Sequence, residues 1–515
     1  MSDYPASPAG RLATDNCPMI LTLPACRFLA RLAFGLLAAL ASLPANAQTL
    51  PPEVDALLAR AKVPREAMAA IVIDAAPSMN GKSAPLLAWR TANPMNPASV
   101  MKLVTTYAGL ELLGPAYTWR TPVYVDGPVV NGELQGNLII QGRGDPKLVM
   151  QQLWLLLRRV QGLGIRSISG DIVLDRSAFA ASTQNPGDFD GEALRPYNVQ
   201  PDALLINYKS VVMTFVPNPG SGNASISYDP PLAGVQMQTS VPLSAGSNGR
   251  ALTDCGDYRA QLQSDFADPL RIAFAGNYPV ACGEKVWAIA FLDPASYARR
   301  VVAGLWQEMG GQIKGQVRDG APPVGKAPAF EMESPPLAEI IRDINKFSNN
   351  VMAQQLFLTL SLQRPGGAST DASREVVRNW WQARFGGQGA GQSAAQDLPV
   401  LDNGSGLSRA ERVTPQGLAR MLQTAYVSGA MPELMASLPI TGVDGTLKRS
   451  RSQVSQGWAH LKSGSLRDAN ALAGYVHTPS GRRLVVVGIV NHPNASAARP
   501  ALDALVDWAV KEGSR

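Results

Sequence analysis

One change of texture constrains this chain more than any other feature. Between residues 118 and 327 the sequence consists of short β-branched runs broken by Gly, Pro and Asn, for example at 121–125, 137–141, 167–174 and 224–228. Strand segments with so many turn signals suggest β-rich inserted material. The stretch 316–336 carries five Pro and reads as the connection out of that block. With 515 residues the chain is long enough for two or three domains, each with its own core.

The flanks have a different character. Residues 53–90 read as a short helix followed by a hairpin, its strands at 69–75 and 85–89 and its turn at Asn80-Gly81. Asn96-Pro97-Ala98-Ser99 opens a helix running through Leu113, with Asn96 as cap and Pro97 at the first helical position. After the insert, helices are expected at 336–362 and 372–385, and a Gly/Gln linker at 386–391. The C-terminal block reads as strands at 457–462, 471–477 and 484–490, a turn at Pro479-Ser480-Gly481, and a closing helix at 500–510. Three antiparallel strands packed against helices give an α+β architecture.

At the N-terminus, Arg27 and Arg31 precede an apolar run at 32–43, and Ala45-Asn46-Ala47 offers small residues where a signal peptidase reads. Residues 1–47 are therefore expected to hold a secretory signal, with either Met1 or Met19 as the start and Met19 giving the more ordinary length. Cys26 precedes the apolar run, which is the wrong side for lipidation. The mature chain then keeps Cys255 and Cys282; in an exported protein a disulfide is the expectation, and two separate buried thiols the alternative.

Composition narrows the chemistry. Three His and four Cys all but exclude the usual metal sites, and no cofactor is expected. The net charge of +6 is spread without basic runs, so nucleic acid is not an expected partner, and membrane contact is at most peripheral. His460, His477 and His492 lie together in the last strand block and read as structural or surface residues, and Arg143-Gly144-Asp145 as a Gly-rich turn. No Gly-x-Ser-x-Gly occurs, which argues against an α/β-hydrolase.

Three short motifs remain. Ser99-Val100-Met101-Lys102 puts a hydroxyl and an amine on one helical face, where the amine can reach the hydroxyl proton. Ser348-Asn349-Asn350 falls in a helical run or at a break in it, and Lys462-Ser463-Gly464 at a strand end. Singly each is weak, an ordinary helix face, cap or turn. In this order and on these elements they match the signature of the penicillin-interacting serine enzymes.

At these motifs the chain resembles the low-molecular-mass class C penicillin-binding proteins, D-alanyl-D-alanine carboxypeptidases/endopeptidases. Further matches are Gly136-Asn137-Leu138, Gly142-Arg143-Gly144-Asp145-Pro146, the run from Asp402 to Arg409, Gly442-Val443-Asp444-Gly445-Thr446-Leu447-Lys448-Arg449, and the continuation Ser465-Leu466-Arg467-Asp468. The 246 positions between Lys102 and Ser348 look like this family's large insert. The resemblance implies a transpeptidase-like domain, an antiparallel sheet flanked by helices, built from 48–117 and 328–515 and interrupted by a β-rich insert of one or two domains at 118–327. Cys255 and Cys282 would staple that insert.

The same resemblance implies roles. Ser99 would be the acylated nucleophile, Lys102 its base, and Ser348 the relay to the departing amine. Asn350 would hold the substrate amide, and Lys462, Ser463 and Gly464 the terminal carboxylate, with Ser463 keeping the hydroxyl of the family's usual Thr. Backbone N–H groups of Ser99 and Ser465 would meet the oxyanion. Asp402 and Asp444 read as turn residues, with a place beside the site as the alternative. The expected function is a secreted, periplasmic serine DD-peptidase acting on peptidoglycan stem peptides and acylated by β-lactams. A β-lactamase, disfavoured by the insert, and a non-enzymatic β-lactam- or cell-wall-binding protein, disfavoured by the intact motifs, stay open.

Overall fold

The computed structural model describes residues 49–76, 84–181, 184–244, 254–364, 367–386, 397–450 and 452–515. The expected signal segment, with Met19 and Cys26, the Asn80-Gly81 turn and most of the 386–391 linker lie outside the described residues.

Both flanks of the insert contribute to one antiparallel sheet. Its strands are β1 (Met68–Asp74), β2 (Leu87–Trp89), β3 (Ala459–Leu466), β4 (Ala469–His477) and β5 (Arg483–Asn491), in the spatial order β2-β1-β5-β4-β3. The last three form the meander that the sequence suggests, and β1 and β2 pair as the expected hairpin through Ala70 and Trp89. The closure of β1 on β5, in register from Met68–Val490 to Asp74–Leu484, is a long-range pairing that no local pattern announces.

Alternation along these strands sorts the side chains onto two buried faces. Met68, Ala70, Val72, Val486 and Val490 pack with α1 (Pro52–Arg60) and the closing helix Arg499–Gly513. Ala69, Ile71, Val485, Val487 and Ile489 pack with α2 (Lys102–Leu113), α3 (Leu337–Phe347), α4 (Asn350–Thr359), α5 (Thr370–Phe385) and α6 (Pro415–Tyr426). Each fully buried Val or Leu contributes ~1.5–3 kcal/mol, so neither face could be left to solvent and both helical layers are required.

The block between α2 and α3 has its own core. One of its sheets runs Val317–Asp319, Ile172–Asp175, Asn137–Gln141, Arg120–Asp126, Phe330–Glu333; another runs Tyr278–Pro279, Ser240–Ser244, Asn223–Asp229, Ser210–Asn218, Lys285–Ala290. The strand expected at 167–174 is split at Ser169-Gly170, where a Cβ on Gly170 would stand 2.6 Å from the Gly136 carbonyl oxygen. The block also holds two long helices that the strand-and-turn reading overlooked. Met150–Gly162 buries Leu153, Leu156, Leu157 and Val160, a helical stripe legible in hindsight, and Pro294–Glu308 starts at an Asp293 cap. Cys255 and Cys282 are disulfide-bonded within this block. Among the described residues no helix is long and apolar enough to cross a membrane.

Candidate active site

The turn carrying Ser99 is held from three directions. Asn96 Oδ1 accepts the Ala98 N–H at 2.9 Å, but the cap position falls on Pro97 and not on Asn96 as expected, the helix starts at Ala98, and this first turn, Ala98–Met101, is 3₁₀ and not α. Ala98 sits at φ +47°, a strained conformation for a side chain with a Cβ. Asn491, at the end of β5, clamps Asn96 by accepting its N–H (2.7 Å) and donating to its carbonyl (2.9 Å). Asn96 Nδ2 in turn donates to the Ser408 carbonyl. Gly406, at φ +83°, passes so close that a Cβ would lie 2.0 Å from the Ala98 carbonyl oxygen; only glycine fits there.

Lys102 opens α2 and is wholly buried. Its Nζ lies 3.1 Å from Ser99 Oγ and 2.6 Å from Asn350 Oδ1, and it donates to the Ser405 carbonyl. The orientation of the Asn350 amide follows from its other end, where Nδ2 donates to the Tyr197 carbonyl at 3.1 Å. Two of the three positions around Nζ therefore face pure acceptors. When the amine is neutral, those two take its N–H groups and the lone pair is left facing Ser99 Oγ.

Ser348 breaks the helix expected at 336–362. It ends α3 in the left-handed region (φ +57°), and Asn349 then caps α4 by accepting the Met352 N–H at 3.0 Å. This break turns the Ser348 hydroxyl toward Lys462, whose Nζ stands 3.0 Å away and also donates to the Ser463 carbonyl at 2.6 Å. Lys462 is wholly buried, whereas Ser99 and Ser348 are half-buried and reachable. Ser463 Oγ shares a 2.7 Å hydrogen bond with Thr446 Oγ1.

Gly464 seats β3 against the nucleophile turn, since a Cβ there would stand 2.6 Å from the Pro97 carbonyl oxygen and 2.9 Å from Ser99 N. Leu461 N donates to Pro439, away from β4. N–H groups two residues apart along a strand point the same way, so the Ser465 N–H faces that same open edge, beside Ser99.

Burial pushes the Lys102 amine well below its ordinary value, the Lys462 ammonium pushes it further, and buried Glu411 opposes them. Burial alone brings Lys462 down to about 7. Two amines that would be fully charged in water are thus both pushed toward their neutral forms.

Ser99, Lys102, Ser348, Asn350, Lys462, Ser463 and Gly464 come together at one place; Cys255 and Cys282 belong to the insert core or its edge. Sequence reasoning overlooked the Ser405 carbonyl, Thr446 and the Tyr197 carbonyl. A main-chain acceptor carries no residue-type signal, and nothing local distinguishes Thr446 from the other polar residues of its loop. Asp402 pairs with Arg374 and Asp444 with Lys346, each bracing a loop beside the site. His460 stacks on His477 and lies near the Lys346–Asp444 pair.

The insert reaches the site as well. Gln355 of α4 exchanges two 2.9 Å hydrogen bonds with the Asp202 backbone, pinning the segment after Tyr197 along the helix that bears Asn350.

The profile of the D-Ala-D-Ala carboxypeptidase 3 (S13) family matches residues 50–512. The D-alanyl-D-alanine carboxypeptidase of Actinomadura sp. (strain R39) is 28% identical over 491 residues, covering 90% of this chain and 87% of that protein. The D-alanyl-D-alanine carboxypeptidase DacB of Haemophilus influenzae is 27% identical over 406 residues, 76% of this chain and 80% of the relative. Among solved structures, penicillin binding protein 4 (dacB) of Haemophilus influenzae superposes with a TM-score of 0.67 at 24% identity, covering 88% of this chain and all of that one.

Proposed function

The chain belongs to the D-Ala-D-Ala carboxypeptidase 3 (S13) family, as a low-molecular-mass class C penicillin-binding protein and serine-type hydrolase, and on that premise we propose that it works through an acyl-enzyme on Ser99. Neutral Lys102 takes the Ser99 proton as Oγ bonds to the carbonyl carbon between two D-alanines. The carbonyl oxygen gains charge between the N–H groups of Ser99 and Ser465, a type of contact that in other enzymes contributes roughly 3 kcal/mol per donor. The C–N bond then breaks, and the leaving amine takes a proton from Ser348, which Lys462 replenishes.

Asn350 holds the substrate amide, while Lys462, Ser463 and the backbone at Gly464 receive the terminal carboxylate, with Thr446 orienting the Ser463 hydroxyl. Water then releases the acyl group, Lys102 returning its proton to Ser99 Oγ and the proton lost by the water restoring the Lys462 ammonium. The same steps cleave a D-alanyl cross-link when the leaving amine belongs to a neighbouring stem peptide. Penicillin acylates the same hydroxyl through its strained amide. In this reading the catalytic domain is built from residues 48–117 and from the chain after Glu333, not from 328 onward, because the strand Phe330–Glu333 completes a sheet of the insert. The enzyme acts after export to the periplasm, where its substrate lies and where the Cys255–Cys282 disulfide persists.

The observation carrying this reading is the Lys102 amine 3.1 Å from Ser99 Oγ, with its other bonds committed to fixed acceptors. Labelled penicillin should persist on the wild type and be absent from Ser99→Ala; equal labelling of both removes Ser99 as nucleophile. Purified cross-linked muropeptides, separated by mass after incubation, distinguish release of D-alanine from conversion of dimers to monomers.

A further inference from the structure

Glu411 is a fully buried carboxylate that the acylation scheme leaves unused. Its Oε1 accepts three successive N–H groups, from Asp402 (3.1 Å), Asn403 (3.2 Å) and Gly404 (2.9 Å), gathering them into a concave nest. The gathered turn delivers two carbonyls to α2: that of Gly404 accepts from Thr105 Oγ1 at 2.6 Å, and that of Ser405 accepts from Lys102 Nζ. Asn403 Oδ1 fixes the next step of the turn by accepting the Ser405 N–H at 3.0 Å. The carboxylate is thus one turn of backbone away from the amine.

An anchor for three N–H groups needs only one acceptor oxygen. Glu411 has a second, Oε2, buried and without a hydrogen-bond partner among the described residues. Leaving a buried acceptor unsatisfied is costly, so something besides anchoring favours a carboxylate here. The charges around it identify that term. From α2 it faces the Lys102 amine, with Lys462 beyond. From the turn it faces Asp402, whose own carboxylate is engaged by Arg374 of α5 at 2.5 Å and by Ser408 Oγ at 2.6 Å. On its own segment, the Arg412 guanidinium is turned onto the Arg409 and Glu411 carbonyls. The residues of α4 nearest the turn are uncharged; Gln354 reaches Ser405 Oγ. Lys102 is therefore the cation that Glu411 can serve.

We propose that Glu411 is a positioning residue for acylation: through the turn it holds the Ser405 carbonyl against the Lys102 amine, and as that amine's buried counter-charge it sets the lower pH limit at which Lys102 can accept the Ser99 proton. The inference rests on the reading of Lys102 as the acylation base. Burial pushes Glu411 up to about 7, with the Asp402 and Gly404 N–H groups and, less strongly, the ammonium of Lys102 drawing it back, and an ionised Glu411 reciprocally favours the Lys102 ammonium. The protonation of each group therefore biases that of the other.

The test is the rate of acylation by labelled penicillin as a function of pH, in the wild type, Glu411→Gln and Glu411→Ala. Glutamine keeps an acceptor for the nest and removes the charge, so the acid limb moves down by about one pH unit while the plateau stays within a few-fold. Alanine releases the turn and lowers the plateau by about tenfold or more. A Glu411→Gln profile superimposable on the wild type overturns the proposal, leaving Glu411 as a turn anchor alone.

Should Glu411→Gln fail to fold, isotope-labelled glutamate carboxyls followed by NMR replace it. The carboxyl titrating near neutrality in the wild type moves to higher pH in Lys102→Met, where no ammonium favours its charge; an unmoved midpoint overturns the proposal. Wild-type acylation by Lys102→Met, whatever the carboxyl midpoint does, overturns the premise that Lys102 is the base, and with it the proposal.

Discussion

Gly464 lies so close to Ser99 that a Cβ built on it would stand 2.9 Å from the Ser99 nitrogen. The edge strand of the sheet and the nucleophile turn are therefore in contact through backbone alone, which lets N–H groups from both face one point.

Gly464→Ala should separate the two. The new methyl meets Pro97, Ser99 and Val100 backbone atoms, none of which can swing aside as a side-chain tip would. The donor pair widens and acylation falls by about two orders of magnitude, the effect of losing one oxyanion donor elsewhere. Stopped-flow acylation and a melting curve check this; an alanine variant that acylates at the wild-type rate would show that the close approach is incidental.

Lys462→Gln should move both limbs of the pH profile. Lys462 has been brought down to about 7, so attraction of a substrate carboxylate weakens as pH rises through that value, and the variant loses this basic limb. The Lys462 ammonium also helps hold Lys102 down, so removing it lets Lys102 rise and the acid limb moves to higher pH. Glu411→Gln shifts that limb the opposite way. Measurement of kcat/KM against pH decides, and an acid limb unchanged in Lys462→Gln would mean the two amines do not sense each other.

Glu411 should also leave a signature in stability. Its folded-state value of about 7 stands above the ordinary 4.5, so the folded chain holds this proton more tightly than the unfolded one. That contribution is fully present below about 4.5 and is lost as pH rises to about 7. Across this window Glu411→Gln should gain on the wild type by up to about 3 kcal/mol, read from denaturant unfolding at several pH values. A constant difference would place the carboxyl's titration elsewhere.

The disulfide should matter for stability and not for chemistry. Cys255 and Cys282 are 27 positions apart, and tying a loop of that size restricts the unfolded chain by about 3–4 kcal/mol. The double serine variant should melt at lower temperature while Ser99 acylates at the wild-type rate in the folded protein. Loss of acylation ahead of unfolding would link the insert to the active site.

Much of this molecule was legible in its residues. The three motifs, the C-terminal meander and the Cys pair all follow from rules that act over a few positions or from residue type. The two insert helices were legible too, at Leu153, Leu156, Leu157 and Val160, but the surrounding turn-rich texture masked their spacing.

Other features had no local trace. Nothing near Ser405 says that its carbonyl will meet an amine 303 positions earlier, because every residue carries the same carbonyl. Glu411 reads as one more surface acid until the fold buries it. The pairing of β1 with β5 likewise waits for both strands to find a shared face.

The sequence by itself determined which groups could do chemistry and the order of the elements that carry them, since hydroxyls, amines, caps and strand alternation are properties of residue type and short spacing. Only the tertiary structure decided that Lys102 and Lys462 would be stripped of water side by side, that a glycine would bring β3 against Ser99, and that a buried acid would stand behind the base. Burial and proximity belong to segments hundreds of residues apart, and a chain acquires them only when its core closes.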